Sequence, residues 1–317
     1  MIEFEMMEIN EVNVDEISQL LLDVKTSNGE WSEEVDLERV KQVFLRNFEN
    51  TEDLVLLARQ VGRLIGLIVI HFDQQDTIEM NPWFLNGHPI VHQEFEKAQL
   101  ESRMIQRVKE YAEANAIVRV NVHFMKDGCH LPGFYEELGM FLLEEVTHLR
   151  AVLSELEILT AQPTDEVDII PLHEAQIENL YDCWYESFRT GQDRSFFNRP
   201  REQNRAHFDE MFDKEEYDNL ASIALRKGER IVGFALVKHT HGEKNGHLWE
   251  LGVHPDFKRR GFAKMMLGAV RRRLLQEEMK TLSLNCDRSN DPAFKLYQSY
   301  NFSEEWTQVG YTWMPEP

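Results

Sequence analysis

One hairpin sequence occurs twice in this chain. Residues 62–71 read GRLIGLIVIH and residues 228–239 read GERIVGFALVKH, with Gly62 and Gly66 matched by Gly228 and Gly233. A similar apolar strand precedes each, at 54–59 and 221–226, so both are read as β-hairpins. The repeat goes on: PGFYEELGMF around Tyr135 is mirrored by PAFKLYQSYNF around Tyr297. The tyrosines lie 162 positions apart and Gly66 and Gly233 lie 167 apart, so the front copy holds about five extra residues, expected within 73–93. A period this long is domain-sized, and the chain is expected to fold as two copies of one α/β plan.

At 317 residues the chain is long enough for two ordinary cores. The polar run LTAQPTDE separates strand HLRAVL from strand VDIIPL, so the boundary is placed within 154–166 and the halves at 1–155 and 166–317. The front half reads as strand 3–9, helix 14–24 and a helical or irregular segment to 47. The hairpin 54–59 with 64–72, a long helix 94–115 and strand 118–124 follow. In the rear half a helix is expected over 174–188, and then a polar and aromatic segment, 190–214, with Arg194, Phe196, Phe197, Arg199 and Arg205.

Residues 246–279 read GHLWELGVHPDFKRRGFAKMMLGAVRRRLLQEEM: an apolar strand at 248–253, a His254-Pro255 turn, a short basic loop and a helix. Phe262, Met265, Met266, Ala269, Val270 and Leu274 recur at helical spacing, with Lys264, Arg271, Arg272 and Arg273 on the wet side. In Lys258-Arg259-Arg260-Gly261-Phe262-Ala263 the glycine lets backbone N–H groups converge, and the helix behind it adds its positive dipole end. Such a loop suits a pyrophosphate. It is neither G-x-x-x-x-G-K-[ST] nor G-x-G-x-x-G, which removes the usual signatures of nucleotide hydrolysis and dinucleotide binding.

This strand, loop and helix resemble the acyl-coenzyme A loop of the GNAT superfamily of N-acetyltransferases, [RQ]-x-x-G-x-[GA] after a strand ending V-x-P. Lys258, Gly261 and Ala263 fill the pattern, with Lys in the place of Arg or Gln. After a further strand, 281–286, SNDPAFKLYQSYNF matches the family's N-x-x-A-x-x-L-Y-x-x-x-G-F at Asn290, Ala293, Leu296, Tyr297 and Phe302. Asn301 replaces the glycine, and asparagine tolerates the left-handed conformation such a helix end requires. The resemblance covers residues 167–317 closely and the front half in layout only. It implies an α/β fold, the mixed-sheet α+β GNAT fold, in two tandem GNAT-like domains. It also implies acetyl-CoA as co-substrate and acetyl transfer to a primary amine of a small-molecule or peptide acceptor. At the loop position the front half reads EFEKAQ, with two glutamates and no glycine. It is therefore expected to be degenerate, without standard coenzyme binding, and to serve as a structural partner or cleft wall.

Acetyl transfer by direct attack needs a neutral amine, an oriented carbonyl and a proton for the departing thiolate. The resemblance implies that backbone groups at Leu251 and Val253 bond the pantetheine and that an N–H near Val253 polarises the thioester carbonyl. It makes Tyr297 the candidate general acid, although Ala293, Leu296, Tyr297 and Tyr300 also form an apolar stripe that suits a packed helix tyrosine. Asn290 would bond the pantetheine, or cap the helix. Glu250 is the candidate base, a carboxylate in an otherwise apolar strand; exposure on a wet sheet face reads equally well. His247 and His254 are weaker candidates. His239, His241 and His247 could be read as a metal cluster, but they suit the decoration of a hairpin loop better, and no metal is expected. A non-catalytic acyl-CoA sensor or assembly module is the rival reading.

The 56 acidic against 34 basic residues give a net charge of −22, which disfavours nucleic acid and anionic membranes and favours cationic amines, or merely keeps the chain soluble. The basic runs 258–260 and 271–273 are assigned to coenzyme phosphates and to a helix's polar face. Cys129, Cys183 and Cys286 form no C-x-x-C, the acidic N-terminus is unlike a secretory signal, and the apolar run 64–70 is too short to span a bilayer. A cytoplasmic monomer or homodimer is expected, and the Asn301-Phe302-Ser303 sequon is expected to be idle.

Overall fold

The computed structural model describes the chain except residues 30, 32–33, 49–50, 75, 82–86, 96, 127–132, 157–166, 192–195, 197–202, 214–216, 219, 240–243 and 316–317. Cys129, Arg194, Phe197, Arg199, His241, Asn86 and most of the expected boundary therefore lie outside the described residues. Two compact units are present: residues 1–143 with 308–317, and residues 144–307.

The front unit has β1 (Ile2–Glu8), α1 (Val14–Ser27), α2 (Leu37–Phe48), β2 (Leu54–Gln60), β3 (Arg63–Gln74), β4 (Thr77–Met80), β5 (Ile90–Val91), α3 (Lys97–Ala114), β6 (Arg119–Met125) and α4 (Phe134–Glu137). The hairpin β2–β3 turns at Val61 and Gly62, both at positive φ, as a two-residue β-hairpin requires. Asn13 starts α1 by accepting the N–H groups of Asp15 and Glu16 at 3.1 and 3.3 Å. Four-residue β4, within the stretch expected to hold the insertion, pairs parallel to β6 from Thr77–Arg119 to Met80–Val122.

Beyond Met80 the chain turns away. Asn81 (φ 44°) accepts the Val69 N–H at 2.7 Å, and its amide donates to the His88 carbonyl. Gly87 is no ordinary exposed turn residue: it is buried, and a Cβ there would lie 1.9 Å from the His123 carbonyl oxygen. His88 packs tilted on Phe124 (4.2 Å) and stacks on Tyr135 (5.7 Å), and its Nδ1 is 2.6 Å from the Tyr135 hydroxyl. The chain's own loop thus fills the space beside Tyr135.

The rear unit has β8 (Asp168–Pro171), α5 (Ile177–Arg189), α6 (Gln203–Met211), β9 (Ile223–Lys227), β10 (Arg230–His239), β11 (Asn245–Val253), α7 (Phe262–Gln276), β12 (Thr281–Asp287) and α8 (Asp291–Gln298). It also takes residues 144–152 of β7 (Phe141–Val152) and 303–307 of β13 (Ser303–Trp313). β7 pairs antiparallel with β12, from Val146–Asp287 to Val152–Thr281, while residues 308–313 of β13 pair with β6 in the front unit. Each unit's sheet is therefore completed by the strand that follows the other half's last helix. The compact units do not follow the 1–155 and 166–317 division, because strand HLRAVL, counted with the front half, buries Leu149 and Ala151 in the rear core.

That core lies under α7 and α8, with Phe262, Met266, Leu267 and Val270 at 1% exposure or less. On the opposite side, α5 and α6 bury Trp184 and Phe208 against Phe234 and Leu236 of β10. Arg271 and Arg273 donate to the carbonyls of Leu153 (2.7 Å) and Leu220 (2.9 Å), so these guanidiniums serve as clamps within the unit. No helix among the described residues is long and apolar enough to cross a membrane.

Candidate active site

β11 is paired with β10 throughout, but its register shifts so that Trp249 is the extra residue of a β-bulge. On its other edge the parallel ladder with β12 runs from Asn245–Thr281 to Leu248–Leu284 and ends. From Trp249 to Val253 that edge has no ladder partner among the described residues, so its backbone donors and acceptors lie outside the ladder with β12. Leu251 and Val253, the expected pantetheine contacts, lie on this stretch, half-buried against the core under α7. Between them, Gly252 must be glycine: a Cβ would sit 2.3 Å from the Phe234 ring.

The strand ends where His254 N–H bonds Val232 O at 3.0 Å, and a 3-10 turn, Pro255–Phe257, leads to the loop. Arg259 (φ 66°) and Gly261 (φ 84°) are both left-handed. For arginine that conformation costs on the order of 1 kcal/mol, strain of the kind that gathers at functional sites. Alternating hand turns successive N–H groups inward as an anion-binding nest. Gly261 is the N-cap of α7, with no side-chain cap and no acidic residue in the first turn. The N–H groups of Phe262, Ala263 and Lys264 precede the first helical bond, Met265 N–H to Gly261 O at 3.0 Å, and so lie outside the helix's own ladder. Phe262 is buried at 1%, so only its backbone faces the loop.

The side chain of Lys258 turns away. Its Nζ lies 3.4 Å from Ser187 O and Thr190 Oγ1 at the C-terminus of α5, and burial lowers its pKa. Arg260 donates to Asp256 O at 2.8 Å.

Asn290 is the N-cap residue of α8 but makes no side-chain cap bond; the Asp287 carboxylate accepts from Ser289 N–H at 2.7 Å instead. Ala293 is half-buried one turn on. Tyr297 is 7% exposed, and burial, then Cys286 and Glu250, push its pKa upward. The phenol keeps its proton at neutral pH, as a general acid must, and half-buried Glu250 lies within its electrostatic reach. Asn301 adopts φ 59° after the helix, the left-handed state expected of it.

The histidines separate. His254 is buried, its pKa lowered by desolvation and then by Arg230, whose Nη2 is 2.7 Å from its Nε2. His239 Nε2 is 2.6 Å from Asp218 and 3.4 Å from Glu277, and these three offer ligand atoms within 4.8 Å of one another. His247 takes no part in that group: its Nδ1 is 3.0 Å from Ser283 Oγ. It belongs to a row of rings across the sheet, edge-on to Trp249 (5.7 Å) and stacked on His148 (5.9 Å), which stacks on Trp306 (4.7 Å). Sequence reasoning missed this row because His148 and Trp306 reach it on strands adjacent in space alone. A cavity of about 450 Å³ beside α5 is lined by Asp182, Glu186 and Asp256 as well as Arg230, too acidic for a pyrophosphate. The thiols of Cys183 and Cys286 are buried and in no disulfide, and burial pushes Cys183 up to about 12.

Residues 176–302 match the family model described as acetyltransferase (GNAT) family. Over 95 residues the chain is 33% identical to the [ribosomal protein bS18]-alanine N-acetyltransferase of Haemophilus ducreyi, spanning 30% of this chain and 64% of that one. The first curated relatives it matches are covered over only 55% to 64% of their own length. Among solved structures, a GCN5-related N-acetyltransferase from Sphaerobacter thermophilus aligns with TM-score 0.60 at 16% identity, over 99% of this chain and 96% of that one. A tandem GNAT protein from the clavulanic acid biosynthesis pathway aligns at TM-score 0.50 and 14% identity, over 100% and 99%. At such identities the likeness is one of fold, and it extends over both units. Residues 176–302 thus match the acetyltransferase (GNAT) family model, and the whole chain has a mixed α/β fold like that of tandem GNAT proteins.

Proposed function

We propose that the rear unit binds acetyl-CoA, with its pyrophosphate on the amides of residues 259–263 and its pantetheine along Leu251 and Val253, and acetylates a primary amine by direct attack. The observation that carries this reading is the meeting of two features, a left-handed Arg259/Gly261 nest on an uncapped helix and a strand edge released from its neighbour after Leu248. The residues fit the coenzyme: main-chain donors suit phosphate oxygens, and the open edge suits the amides of pantetheine.

In this mechanism Glu250, directly or through one water, takes the proton that the amine loses as its nitrogen attacks the thioester carbonyl carbon. An N–H near Val253 donates to the carbonyl oxygen as negative charge gathers there. Collapse of the tetrahedral intermediate breaks the C–S bond, and Tyr297 gives its proton to the departing thiolate. The products are an amide and free coenzyme A. Asn290, with its side chain not spent on the helix cap, would hold the pantetheine beside Ala293. The acceptor is a small-molecule or peptide amine, and relatives named for a ribosomal-protein alanine make a peptide N-terminus one candidate. The front unit binds no coenzyme and is structural. Reduced buried thiols suit a cytoplasmic setting.

The test is thiol release from acetyl-CoA with a panel of small amines and N-terminal peptides. Release with at least one acceptor, acetylated product in equal amount, supports the transfer reading. Coenzyme binding without release for any acceptor would leave the sensor role in its place.

A further inference from the structure

At the end of α7 remote from Gly261, three side chains from separate segments converge. Asp218 precedes β9, His239 ends β10 and Glu277 is the C-cap of α7. His239 Nε2 lies 2.6 Å from Asp218 Oδ2 and 3.4 Å from Glu277 Oε2, and one ligand atom of each residue falls within 4.8 Å of the other two. A tetrahedral zinc ion with bonds of about 2.1 Å sets its ligand atoms about 3.4 Å apart, within the spread of this set. The aspartate is held for such a role. Its N–H donates to Val237 O at 2.8 Å, its carbonyl accepts from Ser222 N–H at 3.0 Å, and Oδ1 accepts from Leu220 N–H at 2.7 Å, which turns Oδ2 to the imidazole. The Asp218 side chain is 6% exposed and that of Glu277 17%, while His239 opens to solvent, where a water can complete the coordination.

Two carboxylates here face each other at the carbonyl end of a helix, where the dipole adds negative potential. Burial and then Asp218 hold Glu277 above the usual carboxylate range, against the pull of His239 and Arg273. Arg273 spends Nη1 on the carbonyls of Leu220 and Ser222, at 2.9 and 3.4 Å. Glu277 Oε1 is buried and has no hydrogen-bond partner among the described residues, an orphan of the kind that a bound ion accounts for. The front unit shows the simpler case: His71 Nδ1 is 2.9 Å from Asp53 Oδ1, the aspartate again 6% exposed, and among the described residues no third ligand joins them. A histidine–aspartate pair thus occurs in both units, and Glu277 is what the rear unit adds. We propose that Asp218, His239 and Glu277 bind one divalent transition-metal ion of the zinc class. One imidazole nitrogen with carboxylate oxygens suits zinc, whereas magnesium and calcium favour oxygen throughout. With a proton on Nε2 the ring donates to Asp218 Oδ2, and the metal takes that proton's place. Sixteen residues of helix, about 24 Å, lie between Gly261 and Glu277, so the ion stands apart from the coenzyme loop and staples a loop, a strand end and a helix end together.

The test is calorimetric titration of the chelator-treated full chain with zinc chloride, for the native protein, Glu277→Gln, His239→Gln and the front-unit control His71→Gln, with urea unfolding of each in zinc and in chelator. One tight zinc per chain is expected. Glu277→Gln and His239→Gln each weaken it at least about tenfold, His71→Gln leaves it unchanged, and equal calcium or magnesium does not displace it. Zinc raises the unfolding midpoint of the native chain but not that of Glu277→Gln. In chelator Glu277→Gln unfolds no earlier than the native chain, because glutamine relieves the repulsion from Asp218, and this reports an intact fold. No tight zinc on the native chain, an affinity that survives either rear-unit substitution, or calcium bound as tightly as zinc overturns the proposal. So does a Glu277→Gln chain that unfolds early in chelator as well, since the triad is then an ordinary hydrogen-bonded network.

Discussion

Where the rear unit has Gly261, the front unit has Gln99. The alignment is fixed by contacts common to both: a Cβ on Gly66 would meet Met104 at 3.0 Å, and one on Gly233 would meet Met266 at 3.1 Å. His92 and Phe95 likewise answer to His254 and Phe257. Without a left-handed residue the front helix begins early, at Lys97, and consumes in ordinary helical bonds the amides that the rear loop turns outward. The parallel ladders also start alike, four pairs in each unit. β11 then runs on for five residues with one edge open, whereas the front chain breaks at Asn81 and plugs the space with Gly87 and His88. On the reading proposed above, two differences set the front unit apart, a helix start that takes up its donors and a loop that occupies the edge left open in the rear unit.

The tyrosines break or sharpen this comparison most directly. Tyr297→Phe is expected to lower kcat by about a hundredfold, the low end for loss of a general acid, with coenzyme affinity intact. Tyr135→Phe is expected to leave kcat unchanged and to lower unfolding free energy by about 1 kcal/mol, because the hydrogen bond between the hydroxyl and buried His88 is lost. Turnover that responds equally to both would erase the difference between the units. Gly252→Ala, on the stretch that β4 lacks, forces a methyl into the buried Phe234 ring. A loss of about 1–3 kcal/mol is expected in urea unfolding, and none would mean that β11 is not held against β10 there.

A smaller effect is expected from pH. His247 is pushed down from 6.5 to about 4 by burial, then by His148 and Arg150. Its folded value lies below its unfolded one, so the unfolded chain takes up the extra proton. Its contribution is present in full above pH 6.5 and is lost as pH falls toward 4, at up to about 1.4 kcal/mol per pH unit. His247→Asn should flatten that slope in thermal unfolding between pH 7 and 5, and an unchanged slope would place the titration elsewhere.

Local chemistry was legible in the sequence. Asn301 occupies the left-handed position expected of it, and both hairpins lie within a residue or two of the expected bounds. What the sequence hid depends on distant pairing. β7 and β13 are completed in the other half's sheet, and no local pattern marks which strand an apolar run will join. β4 is too short to show an alternation. EFEKAQ is set against KRRGFA in the sequence, two residues out of the register that Met104 and Met266 impose; in that register Gln99, in a helical conformation, answers to Gly261, and Glu94 is held by Arg63. The departure of the Lys258 side chain toward α5 depends on helix packing that no motif records.

The central claim, one coenzyme site per chain and that one in the rear loop, is tested most directly by calorimetric titration of the full chain with coenzyme A. A stoichiometry of one is expected, abolished by Gly261→Glu, which places a carboxylate in the nest, and unaffected by Gln99→Glu. Two sites per chain, or binding that survives Gly261→Glu, would contradict the account.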